Sequence, residues 1–168
     1  MWSSEVTNMI IAGIGETLYM TLVSTIAGYI IGLPMGIVLT VSDKDGIRPN
    51  SFIYKILDVI VNIVRSIPFI ILLVLLIPFT RFLVGKSYGS TATIVPLVVA
   101  AAPYIARMVE SSLKEVDAGV IEAARSMGAS DFDIVTKVLL VEARTSLLVG
   151  ATISLGTILG YSAMSGAV

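Results

Sequence analysis

Residues 59–79 read VIVNIVRSIPFIILLVLLIPF. Sixteen of them are Ile, Leu, Val or Phe, and only Arg65 carries a charge. As a helix at about 1.5 Å per residue, this stretch matches the roughly 30 Å hydrocarbon core of a bilayer. Three further segments have the same character: 18–40, whose start lies anywhere from Ile10 to Leu18, then 91–109 and 146–164. They read as apolar on all faces, where a buried helix of a soluble protein shows one apolar stripe. The fold class that follows is an all-α membrane protein, a bundle of four transmembrane helices forming one domain over 1–168. Composition agrees: 56% of the 168 residues are hydrophobic and 14% charged, against about a quarter charged in soluble domains.

The same composition excludes several functions. Net charge is −1, and the eleven cationic residues form no basic patch, so nucleic acid is not an expected partner. With no Cys and no His, disulfides, thiolate nucleophiles, imidazole bases and the usual zinc sites are absent. No cofactor or metal site is expected. The N-terminus lacks the basic stretch of a secretory signal, so the first hydrophobic segment is read as a span.

Lys and Arg set the orientation. Lys44, Arg48 and Lys55 follow the first span; Arg107, Lys114, Arg125, Lys137 and Arg144 follow the third; the loop between spans two and three has only Arg81 and Lys86. The two basic loops are therefore expected in the cytoplasm and the N-terminus outside, in the plasma (inner) membrane of a bacterium. The chain then stops outside at Gly166-Ala167-Val168 without a polar flank, which leads to the expectation of a truncated C-terminus; a natural end is the alternative.

Polar groups within the spans are the next clue. An Arg at a helix centre costs about 2.5–3.5 kcal/mol, which the apolar residues of its span offset at roughly 0.3–0.6 kcal/mol each. Counted from residue 59, Arg65 lies about 9 Å from the inner end. It either lines the transport path near its inner mouth or anchors the interface, paired with Asp58 or with headgroups. Pro34, Pro68, Pro78, Pro96 and Pro103 lie in or at the ends of spans and are expected to kink them. Gly28, Gly32 and Gly36, and again Gly156 and Gly160, form four-residue stripes suited to close helix packing. Span four, with Thr152, Ser154, Thr157, Ser162 and Ser165, is expected to line a cavity.

The stretch 117–141 between spans three and four reads as a pair of short cytoplasmic helices. Asp117 caps the first, which ends at the left-handed position of Gly128. Ser130 caps the second, with Asp131 and Asp133 in its first turn favouring the helix dipole. Those two carboxylates have no further ligands arranged for a metal. Ile121, Ala124 and Met127 are expected to form an apolar knob. A single Arg in the first helix argues against a membrane-surface role, and docking into a groove on another protein is the expected use.

Glu122-Ala123-Ala124-x-x-x-Gly128, nine residues, then Val138-Leu139-Leu140 resembles the EAA loop of ABC-importer permeases, EAA-x3-G-x9-I-x-L-P. Val138 stands in for Ile and Val141 for Pro. Within that family the chain most resembles the permeases of methionine importers, over 16–168. The matching stretches are Gly32-Leu33-Pro34-Met35-Gly36, Arg65 through Val74, Ile77-Pro78-Phe79-Thr80-Arg81, Ala101 through Glu110, and Gly160-Tyr161-Ser162-Ala163-Met164. The resemblance implies a bundle of usually five spans, of which four are seen. It also implies a homodimer, two copies of an ABC ATPase subunit that performs all hydrolysis, and an extracytoplasmic methionine-binding protein. ATPase coupling would fall to Ile121, Glu122, Ala123, Ala124, Met127 and Gly128. The translocation path or gate would involve Tyr161, Ser162, Met164 and Arg65. A permease for another amino acid, a stand-alone transporter or channel, and an assembly factor are the alternatives. Gly85-Lys86-Ser87 is no phosphate loop, because Thr80 occupies the position its first glycine needs.

Overall fold

A computed structural model describes residues 4–165; Gly166-Ala167-Val168, on which the expectation of a truncated end rests, lie outside the described residues. Described elements are helical: α1 (Ser4–Ser42), α2 (Ser51–Ser66), α3 (Phe69–Leu75), α4 (Ile77–Val84), α5 (Ser90–Lys114), α6 (Ala118–Ser126), α7 (Asp131–Asp133), a π-helical stretch (Ile134–Leu139), α8 (Leu140–Glu142) and α9 (Arg144–Ser165). Three of them, α1, α5 and α9, are long and apolar enough to cross a membrane by length and composition.

The second span, expected to be kinked at Pro68, is broken there rather than bent within one helix. Its sequence begins inside α2, breaks at Ile67-Pro68 and resumes as α3, with the two axes bent by 101°. The cause is local. The Pro68 ring crowds the residue before it, which is pushed to extended backbone: Ile67 has φ −84° and ψ 123°. The same residue type does something different elsewhere. Pro34 sits inside α1, Pro96 and Pro103 sit inside α5, and Pro78 starts α4, where its missing N–H is no loss. Of these prolines, Pro68 is the one at the 101° bend, and a second, lesser interruption at Leu76 separates α3 from α4. The α2 helix is also not apolar all round. Ser51, Lys55, Asp58, Asn62, Arg65 and Ser66 fall within one arc of about 100° on a 3.6-residue helix, opposite Leu57, Ile60, Val61 and Val64.

The organising element is α5. Leu97, Ala101, Ile105, Val109 and Leu113 recur every fourth residue and form a buried ridge, joined by Phe69, Leu139, Ala143 and Ile158 from other helices. The largest interface is between α5 and α1. Three glycines make it possible. A Cβ on Gly32 would stand 2.6 Å from the Ala102 carbonyl oxygen, and one on Gly36 would stand 2.6 Å from that of Ala106. One on Gly28 would stand 3.0 Å from the Ile105 side chain and 3.1 Å from that of Ala101. This stripe packs helix on helix. The stripe on α9 does not: a Cβ on Gly156 or Gly160 meets nothing within 4 Å.

Gly36→Leu is expected to force α1 off α5 and destabilise the protein by about 1–3 kcal/mol or more. Gly13→Leu, which has open space around it, is expected to change nothing. Thermal unfolding in detergent measures both.

Candidate functional site

Local sequence builds the loop at one end of the bundle. Asp117 accepts a hydrogen bond from the Gly119 N–H at 2.7 Å and starts α6. At the other end, the Ala129 N–H donates to Ala124 and the Gly128 N–H to Arg125, at 3.1 and 3.0 Å. This paired closure requires a left-handed residue, and Gly128 supplies it at φ +86°. Ser130 accepts from the Asp133 N–H at 3.2 Å and begins the next helix. Lys137 and Ser130 hold the Asp133 carboxyl down at about 2, well below the usual carboxylate range.

The apolar knob differs from the expected one. Ala124 is buried, and Ile121 packs against the core. Met127, at 83% exposure, shares its face with Val120 and Ala123, and Phe132 across the turn is 76% exposed. Burial divides the helix into a face with Ile121 and Ala124 and an adjoining one with Val120, Ala123 and Met127, the last three falling within about 60° at 100° per residue. The first face turns to the protein and the second is free. Arg125 tethers the helix from its side, donating to the Ile47 carbonyl at 2.9 Å. Ile47 belongs to the loop joining α1 and α2. A cavity of about 440 Å³ between the two is lined by Asp43, Lys114, Ile121, Glu122 and Arg125 among others. The second helix is mostly π-helical rather than the plain α-helix expected. The one extra residue per turn brings both Ile134 and Leu139 into the core and leaves Val141 half exposed where the resembled pattern has Pro.

A second feature went unread in the sequence. Glu110, on α5, is 3% exposed. It accepts from Arg107 at 2.6 Å, from Lys114 at 2.8 Å and from the Tyr54 hydroxyl at 3.3 Å. Arg107 also pairs with Asp58 and donates to the Asn62 side-chain oxygen at 3.1 Å. Lys114 pairs with Asp43 at 2.6 Å, and that bond holds the Asp43 carboxyl below its ordinary range. The network fastens α1, α2 and α5 together near the loop end. Its signature was present: Arg107, Glu110 and Lys114 at i, i+3 and i+7, facing Tyr54, Asp58 and Asn62 at i, i+4 and i+8.

Asp58 is thus taken by Arg107, not by Arg65. Moreover, α2 begins at Ser51, so Arg65 lies about 21 Å along the helix from that end, too far to anchor there. Arg65 instead lines a cavity of about 220 Å³ with Phe69, Tyr104 and Tyr161. The Phe69 and Tyr161 rings stack, 4.7 Å between centroids and 6° from parallel. Of the other gate residues, Ser162 is buried and donates to the Leu159 carbonyl at 2.8 Å. Met164 is half exposed on α9 and outside the cavity lining. The cavity therefore unites Arg65 with Tyr161 and leaves Ser162 and Met164 out, while Phe69 and Tyr104 are aromatic members that sequence reasoning missed.

A polytopic helical bundle with a capped, outward-facing helix pair at one end is the form of a membrane permease that engages another subunit. The chain belongs to the family of binding-protein-dependent transport system inner membrane components, whose model matches residues 28–167. It is 56% identical over 158 residues to the D-methionine transport system permease protein MetI of Salmonella typhimurium, covering 94% of this chain and 73% of that protein. MetI of Escherichia coli K12 gives the same identity and shares. Among solved structures, a chain of the inward-facing MetNI methionine ABC transporter, in its CY5 native crystal form, superposes with a TM-score of 0.97 at 54% identity. That match covers 99% of this chain and 77% of the other.

Glu110→Ala is expected to leave Arg107 and Lys114 short of a buried counter-charge and cost about 3–5 kcal/mol. Tyr54→Phe, losing one hydrogen bond, is expected to cost about 0.5–1.5 kcal/mol; denaturant titration of the purified protein separates them. The pH response follows from the two depressed carboxyls. Their contribution is complete above the unfolded value near 4 and is lost as pH falls through the lower folded values. Stability is therefore expected to be level from pH 8 to 5 and to drop below about pH 4, and Asp43→Asn is expected to flatten part of that drop.

Proposed function

We propose that this chain is the membrane-spanning permease subunit of an ATP-binding-cassette importer for methionine, working as a homodimer with two copies of a separate ATPase subunit. Substrate arrives from an external binding protein and crosses by alternating access. The orientation that fits the basic loops puts α6 in the cytoplasm and the N-terminus outside. The observation that carries the reading is the free apolar face of Val120, Ala123 and Met127, with Phe132 exposed just after the turn that follows. Exposed apolar side chains on a capped helix in water lower their free energy by entering a partner's groove. The names of the close relatives supply the substrate.

The work of the loop is mechanical. ATP binding closes the ATPase pair and draws the two α6 helices together. Each pull reaches α1 and α2 through the Arg125–Ile47 tether, and α9 through the π-helical stretch. This chain contributes binding, path and movement, and hydrolysis belongs to its partner. A stand-alone proton- or sodium-coupled transporter needs titratable groups free to change charge in mid-membrane. Asp58 and Glu110 are closed into ion pairs with Arg107, which lies about 10 Å from the loop end of its helix, and this favours a brace over a proton relay.

Met127→Asp and Phe132→Asp place a charge in the proposed groove. Both are expected to abolish copurification of the ATPase and ATP-driven methionine uptake in reconstituted vesicles, with the permease itself still folded. Gly128→Val, strained at its positive φ by about 1–2 kcal/mol, is expected to weaken both. Full uptake by the Asp variants overturns the docking face.

A further inference from the structure

Arg65 is the one charge in the upper half of α2. Among the described residues its guanidinium takes part in no hydrogen bond or ion pair, whereas Asp58 and Asn62 below it on the same polar arc are both bonded to Arg107. A guanidinium inside a membrane is not left to face lipid; it faces a cavity, a partner or a counter-ion. Here it borders a cavity with the Tyr104 ring, the stacked Phe69–Tyr161 pair and the apolar side chains of Val64 and Leu72. At about 220 Å³ the cavity is smaller than the roughly 300–1,000 Å³ pockets that take drug-sized ligands, and suits one small solute. Its lining combines one charge with aromatic and aliphatic side chains.

We infer that this cavity is a substrate site within the membrane for an amino acid bearing a free α-carboxylate, with Arg65 as counter-ion to that carboxylate. The inference rests on the importer reading above and names the recognition chemistry inside its path. The guanidinium fork matches a carboxylate in two parallel hydrogen bonds. A flexible thioether side chain suits the opposite wall, since sulfur sits favourably at aromatic edges. A single charge-assisted contact with one aromatic wall also keeps the affinity modest, which a solute that must leave requires. The Phe69–Tyr161 stack joins α3 to α9, so the site is assembled by the two helices flanking the Pro68 break, by α5 through Tyr104, and by the helix driven by the coupling loop.

The test uses the transporter assembled from this chain, its ATPase and its binding protein. Equilibrium binding of radiolabelled methionine and of methionine amide, which lacks the negative charge, is measured on the permease–ATPase complex, and uptake is measured in vesicles. The wild-type complex is expected to prefer methionine over the amide by about tenfold or more. Arg65→Gln is expected to erase that preference and raise the KM for uptake about tenfold, with the ATPase still copurifying. Arg65→Lys, which keeps the charge but not the fork, is expected to fall between. Loss in Arg65→Gln is not a failure of insertion, because removing a charge eases entry into the bilayer. Unchanged preference and KM in Arg65→Gln overturn the site, as does a wild type that imports methionine but binds it no better than the amide. A wild type that assembles and imports a different amino acid, with the same loss in Arg65→Gln, sustains the site and overturns methionine as its ligand. A wild type that neither holds the ATPase nor imports any amino acid overturns the importer reading itself.

Discussion

Between α1 and α5 a backbone carbonyl stands where a side chain would normally be. In lipid there is no hydrophobic gain from bringing two helices together, so their affinity comes from close van der Waals contact. That contact is strongest where one partner has no Cβ. Gly32 and Gly36 lie against Ala102 and Ala106 closely enough that any side chain collides. The remaining architecture is referred to this joint, because α5 also touches α2, α3, α4 and α9. Its two faces divide the work. The ridge from Leu97 to Leu113 carries the apolar core. Arg107, Glu110 and Lys114, on another face, carry the ion pairs.

Those ion pairs and the Pro68 break explain each other. A helix with a polar arc as wide as that of α2 cannot run through lipid on all sides. Asp58 and Asn62 are met by Arg107 from α5, which fixes the lower part of α2 against the α1–α5 pair. Beyond that anchorage the chain turns by 101°, and α3 presents Phe69 to Tyr161 on α9. The break thus lets one continuous apolar stretch serve two neighbours: α2 is held by charge near the loop end, and α3 by aromatic stacking at the cavity. Arg65 stands just before the turn, where neither set of contacts reaches it.

Much of this was legible in the sequence. Helical class, the Gly28–Gly32–Gly36 packing stripe, the Asp117 and Ser130 caps and the Gly128 stop all follow from local rules, because each depends on a few neighbouring residues. What failed depended on neighbours distant in the chain. Pro68 and Pro103 look alike in sequence, yet one divides a span and the other lies within a helix, a difference set by tertiary context. The Ile121, Ala124 and Met127 face follows from apolarity and helical spacing, which carry no sign of what lies beneath the helix. Ile121 and Ala124 turned inward because the core beneath α6 takes them, which left Val120, Ala123 and Met127 outside. The ion network was missed because its residues were counted for orientation rather than tested for helical spacing, which would have aligned Arg107, Glu110 and Lys114.

On the proposed reading, the way α6 is attached determines how a pull on it travels. It has a polar tether, a single hydrogen bond from Arg125 to Ile47 on the loop between α1 and α2. It also has an apolar footing, Ile121 and Ala124 against the core. Its covalent continuation is the π-helical stretch Ile134–Leu139. π-Helical turns are short, rare and often found at functional positions. Displacement of α6 therefore concentrates there, between two rigid parts: the α1–α2–α5 unit locked by charge and glycine packing, and α9 leading to Tyr161. Near the cavity that divide is crossed by the Phe69–Tyr161 stack and by the Thr157 hydroxyl donating to that of Tyr104 at 3.4 Å, neither of them an ion pair. A bundle so built can change the width of its cavity while every charge in the α1–α2–α5 brace keeps its partner.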